Sequence, residues 1–356
     1  MINNQLPLDV TEAIAFRLRK LYNQQGYTQY KMSKFEEYDL YARNKDFLLS
    51  DNVITFTDLS GKLMALKPDV TLSIVKNSRD DAQNVKKLYY HENVYRVSKN
   101  SHGFREIQQV GLEALGNIDD YCIAEVLQLA KKSLQSISED CILEISHLGL
   151  VSSLLEDLGA EQKAEIFRCI GGKNLHELTA VCADAGVCAE TTELLKALAS
   201  IGGPPETVLP KVKALLTGKI DTQPLALLEQ LSAILGDKIR IDFSVVDDIH
   251  YYNGIVFKGF VRGVPDAVLS GGQYDKLMQK MKRKSSAIGF AVYMDLLERL
   301  TEDAREYDVD TVLLYEDESI AEINAAANAL LAQGKTVAVY RQIPDGLRYR
   351  EEKTVR

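Results

Sequence analysis

At 356 residues the chain is about 2.4 times the ~150 residues of a typical domain, so its length implies two or three packed units. A hydrophobic share of 46%, a charged share of 26%, 22 Gly and 8 Pro exclude collagenous, disordered and low-complexity chains. Lys and Arg number 42 against 51 Asp and Glu, and the net charge of −9 repels a polyanion at long range, so nucleic acid is not the expected partner.

In chain order, Asp9-x-x-Glu12 reads as a capping box, and Ile14, Leu18, Leu21 and Tyr22 follow at helical spacing until Gly26 ends the helix. Short strands are predicted at Tyr27 to Met32, Val53 to Thr57 and Leu63 to Leu66, the last two joined by the turn Asp58-Leu59-Ser60-Gly61. Pro68 suits a helix first turn. Lys87 to Val97 and Phe104 to Leu115 read as an antiparallel pair around a polar loop. A helix over Asp119 to Gln135 and a strand over Cys141 to Ser146 precede a Leu- and Ala-rich stretch from Leu148 to Leu235, read as an all-helical insertion with a turn at Gly202-Gly203-Pro204-Pro205. Strand texture returns at Ile239 to Phe243, Tyr251 to Phe260 and Asp266 to Leu269, then near Ala287 to Ala291. Thr311 to Tyr315, Ile320 to Ala332 and Thr336 to Tyr340 read as a small strand, helix, strand unit. The boundaries expected are a core of residues 1–147 and 237–303, the insertion at 148–236 and a C-terminal α/β segment at 304–356.

Cys122, Cys141, Cys169, Cys182 and Cys188 are odd in number with no C-x-x-C pair, so they read as reduced thiols, mostly in the core. The five histidines lack ligand spacing, and neither a metal nor a cofactor is expected. No apolar run approaches the ~18 residues that would span a bilayer, so a cytoplasmic protein without a membrane partner is expected.

Alternation on the Phe104 strand puts Arg105, Ile107, Gln109, Gly111 and Glu113 on one face and Val110, Leu112 and Ala114 on the other. The polar face is either solvated or the floor of a site where Gly111 leaves room for a flat ligand. Lys67-Pro68-Asp69-Val70-Thr71 offers a carboxylate and a hydroxyl that could hold an ammonium group, or simply cap a helix. Tyr251-Tyr252-Asn253-Gly254 supplies phenols that either face a site or pack in a strand. Gly271-Gly272-Gln273-Tyr274-Asp275 reads as a glycine turn into a helix, an anion site or merely a tight turn.

The order of these segments is more specific than any one of them. Phe56-Thr57-Asp58-Leu59-Ser60-Gly61 leads to Lys67-Pro68-Asp69-Val70-Thr71, Val94-Tyr95-Arg96 and Phe104 to Glu113, then to Tyr251-Tyr252-Asn253-Gly254, Gly271 to Asp275 and Ala287-Ile288-Gly289-Phe290-Ala291. Over roughly residues 6 to 300 the series resembles the catalytic domain of histidyl-tRNA synthetase, a class II synthetase. The resemblance implies an α+β fold, a class II antiparallel sheet flanked by helices, with the helical insertion and the small C-terminal unit attached. It also implies a histidine-binding set of Asp69, Thr71, Arg96, Gln109, Glu113, Tyr251 and Tyr252, in which Asp69, Thr71 and Gln109 hold the amino group and Glu113 and Tyr252 the imidazole.

The ATP-binding groups of that family fare differently. Asp247 stands where the synthetases carry an arginine, Leu296 stands where they place another unless the register slips to Arg299, and Ser98 and Ser33 replace a glutamate and a proline. Arg96 and Arg105 remain as anion contacts. A retained amino-acid site, lost arginines and a shortened C-terminus are similar to the paralogous family of ATP phosphoribosyltransferase regulatory subunits. That resemblance implies a non-catalytic subunit of the first step of histidine biosynthesis, required for the activity of a short-form catalytic partner and for feedback by histidine. It further implies a homodimer through the core, a hetero-octamer with the partner, and no nucleic-acid ligand. A divergent synthetase, or a synthetase-like module binding tRNA or a protein, is the alternative. The sequence leaves open whether the pocket is the inhibitory site or a relic.

Overall fold

The computed structural model describes residues 9–48, 53–97, 103–218, 223–246, 251–300 and 306–355. The chain divides into two compact units, Met1–Leu300 and Thr301–Arg356. In the first, α1 (Val10–Gln24) starts where the sequence places it: Asp9 Oδ1 accepts from the Glu12 amide at 2.7 Å, and Glu12 Oε2 accepts from the Asp9 amide at 3.0 Å. Of the strand expected over Tyr27 to Met32, only β1 (Thr28–Gln29) joins a ladder. Beyond it the contact with the same neighbouring strand continues without a ladder, through the Tyr30 amide to the Tyr89 carbonyl at 2.8 Å and the Met32 amide to Glu92 Oε1 at 3.5 Å, and then the Lys34 carbonyl accepts from the Lys67 amide at 3.1 Å.

A three-stranded antiparallel sheet follows, β2 (Phe35–Glu37), β3 (Thr55–Thr57) and β4 (Leu63–Leu66) in the order β2-β4-β3, with α2 (Tyr38–Ala42) after its first strand. Asp58 Oδ1 accepts from the amides of Ser60 and Lys62, both at 2.9 Å, which fixes the predicted turn. Helix α3 (Thr71–Asn77) leads to the long pair β5 (Lys86–Val97) and β6 (Phe104–Gly116), then α4 (Asp120–Ile137) and β7 (Cys141–His147).

Between β7 and the next long strand lie α5 (Leu148–Ser152), α6 (Ala160–Gly171), α7 (Leu175–Asp184), α8 (Ala189–Ser200), α9 (Pro205–Leu216) and α10 (Gln223–Leu235). The Gly202-Gly203 turn expected there is a two-residue strand, β8 (Gly202–Gly203), paired antiparallel with β9 (Ile239–Asp242), while Pro205 begins α9. Lacking side chains, the two glycines let the chain run against Asp242 before the prolines set the helix start.

Strands β10 (Ile255–Val261), β11 (Leu269–Gln273) and β12 (Ser286–Tyr293) complete the nine-stranded sheet, ordered β1-β5-β6-β12-β11-β10-β7-β9-β8, with α11 (Asp275–Lys280) before β12. Adjacent strands from β5 through β7 in that order are antiparallel. Gly271 and Gly272 therefore sit within β11 rather than in a turn. A Cβ on Gly271 would lie 2.4 Å from the Gly289 carbonyl oxygen, so glycine here permits close approach of neighbouring strands.

The face carrying Val110, Leu112 and Ala114 packs against α1 and α4 in a large apolar core that also takes in Leu150, Ile166, Leu198 and Leu228 from the helices after β7. A second core, including Leu72, Ile74, Tyr90, Tyr251, Tyr274 and Leu277, lies around α3 and α11. Four cysteines are buried and Cys188 is exposed. Among the described residues no helix is long and apolar enough to cross a membrane.

In the second unit, β13 (Val309–Leu314), α12 (Ile320–Leu331) and β14 (Val337–Tyr340) form the expected strand, helix, strand unit, with the two strands parallel, and Ser319 with Glu322 caps the helix. A further strand, β15 (Tyr349–Thr354), pairs parallel on the other side of β13. Its sequence, Tyr-Arg-Glu-Glu-Lys-Thr, hides it as a charged tail. The ladder to β13 and an ion pair of Glu351 with Lys335 at 2.6 Å hold it as an edge strand.

Candidate functional site

Helix α3 begins beside the floor made by β6, and its start builds half of the site. Asp69 Oδ1 accepts the Leu72 amide at 2.8 Å, so the Asp69 carboxylate caps the helix while its side chain lines a cavity. Thr71, the first residue of α3, donates its hydroxyl to Glu113 Oε1 at 2.8 Å. From the opposite wall, Tyr274 donates to Glu113 Oε2 at 2.7 Å. Glu113 is thus 2% exposed and held from both sides by neutral hydroxyls.

The cavity measures about 300 Å³, at the small end of the ~300–1,000 Å³ typical of ligand sites. Asp69, Thr71, Arg96, Gln109, Glu113, Tyr251 and Tyr252 all line it, so the structure brings together the seven residues singled out as the binding set. The polar face of β6 is a buried floor rather than a solvated surface at this point: Gln109 is 4% exposed. Arg96 donates Nε to the Pro68 carbonyl at 3.0 Å, which holds the guanidinium near Asp69. Tyr251 and Tyr252 stack edge-on with ring centroids 4.8 Å apart.

Arg105 lies apart from the set. It pairs directly across the ladder with Arg96, its side chain is 59% exposed, and it approaches Asp295 at 3.6 Å. Gly111 does leave room on the sheet, but the Tyr90 ring takes it: a Cβ there would fall 2.5 Å from the Tyr90 hydroxyl. Gly289, opposite Glu113 on β12, leaves room for the carboxylate, since a Cβ would lie 1.8 Å from Glu113 Oε2 and 2.5 Å from the Leu112 carbonyl oxygen. Tyr90, Ser270, Tyr274 and Tyr293 complete the walls and were not singled out from the sequence as a binding set. The signal available for Tyr90 is its pairing partner, Gly111. Ser270 and Tyr293 join hydroxyls at 2.7 Å.

Leu296 packs against the main apolar core, and Ser33 accepts the Phe35 amide at 3.1 Å. Ser98, Asp247 and the side chain of Arg299 lie outside the described residues.

Burial pushes the Glu113 carboxyl up from its ordinary value of 4.5 to about 8, against the opposing pull of the Tyr274 and Thr71 hydrogen bonds. Asp69 is raised as well, first by burial, with its backbone hydrogen bonds and Arg96 acting the other way. The folded protein therefore binds more protons at this site than the unfolded chain, and stability present below pH 4.5 is lost as the pH rises through about 8. The melting temperature of the empty protein is expected to fall between about pH 5 and pH 8, and to fall less in Glu113→Gln, by thermal unfolding at each pH. An equal slope in both proteins would contradict the assignment.

The histidyl-tRNA synthetase family profile matches residues 6–297. An ATP phosphoribosyltransferase regulatory subunit from Bacillus anthracis is 28% identical over 349 residues, covering 92% of this chain and 82% of that protein. The crystal structure of an ATP phosphoribosyltransferase regulatory subunit/histidyl-tRNA synthetase from Bacillus halodurans superposes with a TM-score of 0.78 at 24% identity, covering 97% of this chain and 93% of that one. A chain of the ATP phosphoribosyl transferase (HisG:HisZ) complex from Thermotoga maritima superposes at 0.63 with 19% identity, covering 81% and 98%. These structural likenesses agree with the class II synthetase-like fold expected from the sequence. The chain belongs to the histidyl-tRNA synthetase family and, within it, is similar to ATP phosphoribosyltransferase regulatory subunits.

Proposed function

We propose that this chain is a non-catalytic regulatory subunit of ATP phosphoribosyltransferase, required for activity of a short-form catalytic subunit and for feedback by histidine at the first step of histidine biosynthesis. In this reading it works in the cytoplasm, as a homodimer through the class II-like core that joins the catalytic subunit in a hetero-octamer, with residues 148–236 as a helical insertion and 304–356 as a C-terminal unit. Its small-molecule ligand is histidine.

The observation that carries the reading is the contrast between the amino-acid cavity and the position of a lost ATP contact. A buried carboxyl, Glu113, and a half-buried one, Asp69, face a guanidinium, Arg96, in a volume suited to a single amino acid. Ammonium and imidazole groups need such acceptors, and a carboxylate needs such a cation. Leu296, by contrast, is a half-buried aliphatic side chain against the apolar core, where the family resemblance implies an arginine on ATP unless the register slips to Arg299. Losing one preorganised cation of that kind costs about 3–4 kcal/mol of transition-state stabilisation, enough to suppress adenylation by two to three orders of magnitude. The names of the similar regulatory subunits support the same side of the contrast.

The test is reconstitution. Mixing the purified chain with a short-form catalytic subunit is expected to switch on phosphoribosyl transfer to ATP, and added histidine to suppress it. A catalytic subunit that gains no activity from the chain would overturn the proposal.

A further inference from the structure

The groups around Glu113 are hydroxyls on nearly every side. Thr71 on α3 and Tyr274 beyond β11 donate to its two oxygens, Tyr90 rises from β5, and Tyr251 and Tyr252 stand before β10. From β12 the neighbour is Gly289, which brings no side chain. Burial holds the phenols of Tyr90, Tyr251 and Tyr274 well above their usual range, and Tyr27, bonded to Glu125, is raised too, so these groups are neutral at physiological pH. Among the described residues, the charged groups that line the cavity are then Asp69, Glu113 and Arg96.

Their charges do not balance. With both carboxyls ionised these residues hold two negative groups against one positive, and with Glu113 2% exposed the excess is costly. An amino-acid zwitterion adds one charge of each sign and leaves the excess standing. One further positive charge, placed on the ligand's ring next to Glu113, brings the sum to zero.

Resting on the histidine reading above, we propose that the pocket takes histidine as its imidazolium, the ring receiving the proton that Glu113 carries in the empty site. The carboxyl O–H bond breaks, an N–H bond forms on the imidazole, and the electron pair left on oxygen completes the carboxylate. The Thr71 and Tyr274 hydroxyls already point at both oxygens, so the new anion meets two donors without rearrangement. The pocket thereby couples ligand binding to pH.

The coupling has a definite shape. Glu113 in the empty pocket titrates at about 8 and a free imidazole at ~6.5, so between those values the empty site and ligand together already hold the one proton the complex needs. Affinity is flat there. Above about pH 8 a proton must be taken up, and below about pH 6.5 one must be released, so affinity falls about tenfold per pH unit on each side.

Calorimetry of histidine binding to the full-length protein, in buffers of different ionisation enthalpy from about pH 5.5 to pH 8.7, reads both affinity and proton exchange. The expected result is a plateau without net proton exchange, flanked by uptake above and release below. Nitrogen NMR of ring-labelled histidine should show both ring nitrogens protonated in the complex, and a ring-fluorinated histidine, isosteric but far less basic, should bind at least about tenfold more weakly at pH 7. Affinity climbing through pH 8 with proton release, a neutral bound ring, or equal binding of the fluorinated analogue would overturn this proposal while leaving the histidine site standing. Failure of histidine to bind at any pH would instead remove the reading on which it rests, and the proposal with it.

Discussion

Glu113→Gln is expected to weaken histidine binding by roughly a hundredfold or more at neutral pH, because a charge-assisted hydrogen bond of about 1.5–3 kcal/mol is lost in a buried site and the ring charge is left uncompensated. The replacement keeps the volume beside Gly289, where there is no space for anything larger than the carboxylate already present. Its amide nitrogen also turns a donor toward Thr71 or Tyr274, both of which now donate to the carboxylate. Calorimetry at neutral pH reads the effect, with thermal unfolding to establish that the variant is folded. Undiminished affinity in a folded variant would show that the imidazole binds elsewhere.

The second large effect is on stability. Lys67 is 1% exposed and forms an ion pair with Glu92, whose side chain is 16% exposed; at the same position its backbone accepts from Tyr95 N at 2.9 Å and so ties the segment before α3 to β5. Lys67→Met leaves Glu92 as an uncompensated, mostly buried charge, and about 3 kcal/mol of folding stability should be lost. The double replacement Lys67→Met with Glu92→Leu should regain most of it, since an apolar pair of similar volume has no charge to desolvate. Urea unfolding of the wild type and both variants measures the difference. A single variant as stable as the wild type would mean that Glu92 finds water or another partner.

Much of this architecture can be read from local pattern. The capping box and apolar spacing of α1, and the alternation of β6 that separates Val110 and Leu112 from Gln109 and Glu113, are written in adjacent residues and reappear in the folded chain. The same alternation could not say whether the polar face met solvent or a cavity, because α3 and the residues around Tyr251 and Tyr274 that roof it are distant in sequence. Tyr90, Ser270 and Tyr293 join the site only through the register of β5, β11 and β12 with their neighbours. Gly271-Gly272 illustrates the limit from the other side: a glycine pair carries the same local signal whether it turns a chain or lets two strands approach, and only Gly289 across the ladder decides between them. In the second unit, β15 has no apolar alternation strong enough to show, since its place depends on pairing with β13.

Under the proposed function the pocket recognises histidine and does not activate it. Histidine-dependent exchange of pyrophosphate into ATP, measured on the purified chain saturated with histidine and magnesium, tests that most directly. Exchange at the level of a protein-free control is the predicted result, and turnover well above that level would contradict the account.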